Sequence, residues 1–93
     1  MNDEVEQVLK NIAEHYGYEP QREQFVEECA EAIIAVQKCK RGKDGAFENF
    51  KEEVADVLIM AEQMRYFIGK DTVDKIINAK LNRQLQRIKE EDK

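Results

Sequence analysis

Acidic side chains three apart on a helix share one face, where their oxygens can converge on a cation or a proton. This chain has four such pairs, Asp3/Glu6, Glu28/Glu31, Glu53/Asp56 and Asp71/Asp74. With 20 acids in 93 residues, about four are expected by chance, so spacing alone carries no information. Context separates them. Asp3/Glu6 and Asp71/Asp74 fall in predicted first helical turns, where acids complement the helix dipole. Glu28 and Glu31 lie in Phe25 to Val36, a run that is apolar except for Glu27, Glu28 and Glu31. Asp56 is the only polar residue between Val54 and Ala61. A carboxylate withdrawn from water costs several kcal/mol, and a second one nearby adds repulsion. Protonation, a basic partner or a bound cation would relieve that cost. Lys38, Lys40, Arg41 and Lys51 sit at helix ends and Arg65 is more than two turns beyond Asp56, so a cation is the better solution. All-oxygen ligation selects a hard ion, and Mg²⁺ in particular keeps waters and recruits substrate phosphates. The competing reading is a solvated acidic stripe, because Glu27, Glu28 and Glu31 span one arc of a helix.

Near the other end, Lys80, Arg83, Gln84 and Arg87 recur at i, i+3, i+4 and i+7, about 100° from the apolar stripe of the same helix. Such a face can clamp a polyphosphate beside a metal cluster, or it can pair with Glu90 and Glu91 in solvent. Gly42-Lys43-Asp44-Gly45 lacks the strand and Gly-Lys-Ser/Thr ending of a phosphate-binding loop and reads as a turn.

Four helices must position these residues. Val5, Val8, Leu9, Ile12 and Tyr16 mark the first, with Asn2 or Asp3 to cap it and Gly17 to end it. Pro20 suits the first turn of a second helix running to about Arg41. The third runs from about Ala46 to Ile68 and stops at Gly69. Asp71 is the expected N-cap of the fourth, whose stripe is Ile77, Leu81, Leu85 and Ile88, followed by the charged tail Lys89 to Lys93. Val57, Leu58, Ile59 and Met60 point in four directions, so the third helix needs protein on every side. One protomer hardly supplies that cover, and a dimer or a dimer of dimers is expected.

The wider composition agrees. At 42% hydrophobic and 38% charged, with 4 Gly and 1 Pro, the chain fits a single all-α domain over residues 1–93 and excludes collagenous, low-complexity and disulfide-scaffold classes. A net charge of −5 disfavours nucleic acid and anionic membranes, so phosphate binding must be local. An acidic start and no 18-residue apolar run predict a soluble, cytoplasmic protein without a membrane partner. Cys29 and Cys39 are ten positions apart on one helix, about 15 Å, too far for a disulfide; they read as buried small hydrophobes.

Taken together, Glu27-Glu28-Cys29-Ala30-Glu31 and, 21 residues later, Glu53-Val54-Ala55-Asp56 resemble the Glu-Glu-x-x-Glu … Glu-x-x-Asp signature of the MazG-like all-α nucleoside triphosphate pyrophosphohydrolases. Tyr16-Gly17, Gln21 and Gln24 ahead of the first half, Val57-Leu58-Ile59 after the second, and Lys80-x-x-x-Gln84-x-x-Arg87 extend the likeness over about residues 15–88. Gln84 stands where family members often carry asparagine.

The resemblance implies a four-helix bundle completed by homodimer or homotetramer formation. It implies that Glu28, Glu31, Glu53 and Asp56 coordinate Mg²⁺, with Mn²⁺ as a substitute, and that a (d)NTP is cleaved between its α and β phosphates to (d)NMP and pyrophosphate, a reaction suited to nucleotide-pool house-cleaning. Lys80, Arg83 and Arg87 would hold phosphates, some from a neighbouring subunit, together with Gln84. Gln21, Gln24, His15 and Tyr16 would lie near the base. The rival is a non-catalytic helical nucleotide-binding or regulatory dimerisation module. A di-iron bundle would need Glu-x-x-His pairs, and the only histidine, His15, has Ile12 three residues before it.

Overall fold

Asn2 begins the chain's order by accepting a hydrogen bond from the Val5 amide at 2.9 Å, and the first helix, α1 (Asp3–Tyr16), follows from that cap. In the computed structural model, which describes residues 1–92, three further helices follow: α2 (Tyr18–Lys40), α3 (Ala46–Ile68) and α4 (Lys70–Glu91). The described residues contain no strand, so the all-α class expected from the 3.6-residue periodicity is observed. Lys93, at the end of the charged tail, lies outside the described residues.

Two junctions are a single glycine long. Gly17 (φ 88°) ends α1 and starts α2, and Gly69 (φ 122°) does the same for α3 and α4. Both φ values lie where a side chain is strained, so each glycine permits a sharp change of helix direction. At Gly69 this changes the expected capping. The fourth helix starts at Lys70 with Gly69 as N-cap, and Asp71 lies inside the first turn, where it complements the dipole without capping the backbone.

The long antiparallel hairpin of α2 and α3 is the body of the molecule. Each helix has 23 residues, about 35 Å, and the connection Arg41–Gly45 closes one end. Helix α1 lies across this pair and contributes Leu9 and Ala13 to a small core with Ala35, Ala46, Met60 and Met64. Helix α4 approaches only α3 at backbone level and has no buried residue. Its departure is held by ion pairs from Arg65 to Asp74 (2.8 Å) and from Lys70 to Glu6 (3.4 Å).

The protomer is therefore open. Its radius of gyration is 16.4 Å, against about 12 Å for a compact chain of this length. Leu81, Leu85 and Ile88 on α4 and Leu58 and Ile59 in the middle of α3 are all exposed. The sequence reading that α3 requires cover on all sides meets a protomer that leaves one side bare. Cys29 and Cys39 are free and only half-buried, so neither is the fully buried small hydrophobe expected. The core is too thin at that level of α2 to enclose them.

Candidate metal centre

The carboxylates meet because of the register between α2 and α3. Along α2, Gln21, Gln24, Glu28, Glu31 and Ala35 are separated by three and four residues alternately, and along α3 so are Gln63, Met60, Asp56 and Glu53. This is the spacing of a heptad seam, and it faces the partner helix. The acids predicted from sequence thus belong to the contact face between two helices. The solvated-stripe reading holds for Glu27 and Glu31, which are exposed, and fails for Glu28, which is half-buried.

Glu28, Glu53 and Asp56 each present a carboxylate oxygen within a cluster whose atoms lie within 4.8 Å of one another. Glu31 lies close enough to the Glu53 carboxyl to oppose its ionisation. Burial of the Glu53 carboxyl, reinforced by repulsion from Glu31, Asp56 and Glu28, pushes its pKa above the ordinary value.

Gln24 donates to Glu28 Oε1 at 2.8 Å, which orients that carboxylate and leaves its other oxygen aimed into the cluster. Among the described residues, two buried side-chain polar atoms have no hydrogen-bond partner, Glu28 Oε2 and Glu53 Oε2. Buried oxygens are rarely left unpaired, because desolvation then costs about 1–3 kcal/mol without compensation. A divalent cation between these helices would satisfy both, so the residues present fit such an ion.

The raised Glu53 pKa has a measurable consequence. The folded, cation-free protein binds this proton more tightly than the unfolded chain, so Glu53 costs stability as pH rises. The loss begins near the unfolded value of about 4.5 and is complete above the raised folded value. In EDTA, thermal melts of wild type and Glu53→Gln should therefore diverge as pH rises through that window, the variant being the more stable at neutral pH. Parallel melting curves across the window would contradict this account.

The other predicted residues are placed as follows. Gln21 is buried and donates to Gln63 Oε1 at 2.7 Å, which directs its amide into the hairpin. Gln63 is the most enclosed large side chain, only 1% exposed, and sequence reasoning passed over it. Its position seven residues beyond Asp56 was the available signal. His15 and Tyr16 are exposed at the end of α1, their rings edge to face at 4.7 Å.

Lys80, Arg83, Gln84 and Arg87 are exposed on α4. Among the described residues, no hydrogen bond or ion pair joins them to the carboxylates, so one protomer does not bring the basic face to the acidic cluster. A cleft of about 330 Å³ lies elsewhere, lined by residues that include Glu6, Lys10, Arg65, Tyr66 and Lys70. Its charges already pair with one another or with neighbouring acids, and they brace α4 against α1 and α3.

No helix is long and apolar enough to cross a membrane. Compared with known protein families, curated proteins and solved structures, the chain has no match.

Proposed function

We propose that this protein is a Mg²⁺-dependent nucleoside triphosphate pyrophosphohydrolase of the MazG-like type, acting as a homodimer or homotetramer. The observation that supports it best is the pair of orphaned buried oxygens, Glu28 Oε2 and Glu53 Oε2, on two residues of a three-carboxylate cluster drawn from two helices. Buried carboxylate oxygens are rarely without a partner, and a bound cation would supply one to both.

Glu28, Glu53 and Asp56 would hold the cation, with Gln24 fixing the Glu28 carboxylate. Mg²⁺, when bound, neutralises phosphate charge and makes a water acidic enough to attack phosphorus. Glu31, which is exposed, would accept a proton from the attacking water and pass it to solvent. The reaction forms a bond from water oxygen to the α-phosphorus and releases pyrophosphate.

The exposed surface area supports the proposed subunit association. The protomer exposes 7276 Å², whereas a compact monomer of 10.9 kDa exposes about 5,600 Å². The excess is about twice the roughly 800 Å² that each partner contributes to a standard interface. A second copy would cover this surface and carry the basic face of its α4 to the carboxylates.

The test is a panel of canonical and modified NTPs and dNTPs, incubated with Mg²⁺ or with EDTA, with products separated by anion-exchange chromatography. Monophosphate plus pyrophosphate, formed only with Mg²⁺, is the expected result. Diphosphate plus inorganic phosphate, or no turnover across the panel, sinks the proposal and leaves a nucleotide-binding or dimerisation module.

A further inference from the structure

We propose that the buried Gln21–Gln63 pair is a positioning device, which locks the open end of the α2/α3 hairpin in the one register that assembles the carboxylate cluster. This rests on the reading of that cluster as a cation site.

The geometry is repetitive. Seven residues along α2 from Gln21 is Glu28, and seven residues back along α3 from Gln63 is Asp56. Three residues further on each helix are Glu31 and Glu53. Contacts are seen at two of these levels: Gln21 with Gln63 at 2.7 Å, and Glu28 with Asp56 in the cluster. The glutamine pair is thus one heptad from the site on the same seam.

The hairpin needs such a device. Its closed end is fixed by the Arg41–Gly45 connection, but Gln21 is 19 residues from Lys40, about 29 Å along α2. The acids lie between these two ends. Most of the intervening seam cannot hold register by itself. Glu28, Glu31, Glu53 and Asp56 repel, and Ala35 and Met60 are adaptable or featureless in packing. A displacement of one turn would move Glu28 about 5 Å from Asp56, beyond the reach of a shared ion.

The glutamines oppose that displacement. Gln21 is 7% exposed and Gln63 1% exposed, so a slip would leave two buried amides without partners. Gln63 also donates to Met60 Sδ at 3.8 Å, which orients its oxygen toward Gln21. A pair of apolar residues would bury area at least as well but would tolerate several registers. A single buried polar pair in a helical seam is a known means of selecting one register at some cost in stability.

The experiment separates positioning from folding. Gln21→Met/Gln63→Met removes both amides together and leaves none unpaired, with Gln21→Leu/Gln63→Leu as a second double variant should the first fold poorly. In full-length chains with Cys29 and Cys39 replaced by alanine, nitroxide labels at Glu27→Cys and Glu52→Cys report the distance between α2 and α3 without metal. The wild-type pair should give one narrow distance. The double variant should melt at or above the parent temperature, show a broadened or second distance, and bind Mn²⁺ at least about tenfold more weakly. Gln21→Met alone should lower the melting temperature by stranding the Gln63 oxygen. A double variant with one narrow distance and parental Mn²⁺ affinity overturns the proposal. If the parent itself binds no Mn²⁺, the cation reading fails, and the distance measurement still decides the register claim.

Discussion

Replacing Glu53 by glutamine should reduce Mg²⁺-dependent release of pyrophosphate from NTP by at least about 100-fold while leaving the metal-free fold at least as stable. The size follows from what the substitution removes. An amide offers one neutral oxygen where the carboxylate offered an anionic ligand, and a lost charge contact in a preorganised site typically costs about 10²–10³ in turnover. Stability moves the other way, because three neighbouring acids and burial already oppose ionisation of Glu53. Glu27→Gln is the control: it lies on α2 next to Glu28, is exposed and falls off the seam, so turnover should stay within about twofold of the parent. Chromatographic product assays and thermal melts in EDTA provide both readouts. A Glu53→Gln protein that unfolds in EDTA would show a structural ion pair, and one that keeps full turnover would remove the carboxylate cluster from the chemistry.

The second large effect concerns α4. Leu81→Glu with Leu85→Glu should reduce the assembly to a 10.9 kDa species and abolish turnover together. Each leucine contributes about 1.5–3 kcal/mol when its side chain passes from water to an apolar interface. Four leucines across a two-fold contact therefore represent at least about 6 kcal/mol, roughly four orders of magnitude in dissociation constant. Four new carboxylates at the same contact add repulsion. The fold of the protomer should survive, since neither leucine is buried within it. Light scattering measures the mass, and circular dichroism confirms the helices. A parent protein that is itself a stable monomer at micromolar concentration, or a double variant of unchanged mass, would dismiss the α4 stripe as an interface. Turnover retained in a monomeric variant would show that the basic face of α4 is not supplied in trans.

How much of this was legible beforehand depended on the range of the interactions. The helix ends at Gly17 and Gly69 and the early position of Pro20 were readable, because capping and backbone strain are decided within a few residues. Asp71 was misplaced as a cap for a related reason: Gly69 can adopt φ 122° and start α4 two residues earlier, and nothing in the side-chain pattern marks that. Glu28 and Asp56 stood out because each interrupts an apolar run. Gln21 also stood out but with another role attached to it, since an amide ahead of an acidic motif looks the same whether it meets a ligand or a second amide. Gln63, flanked by Glu62 and Met64, carried no signal within its own turn, and only its place seven residues beyond Asp56 marked it.

The sequence by itself determined four helices, their boundaries to within a residue or two, and the identity of the acids that are out of place on their helices, because 3.6-residue periodicity and desolvation cost act along one chain segment. Only the tertiary structure decided that those acids lie on the α2/α3 seam with Glu28 Oε2 and Glu53 Oε2 unpaired, that Gln21 is spent on Gln63, and that α4 stands clear of the core. Each of these is a matter of register or angle between helices. Such quantities depend on residues some 20 to 40 positions apart, and no single helix contains them.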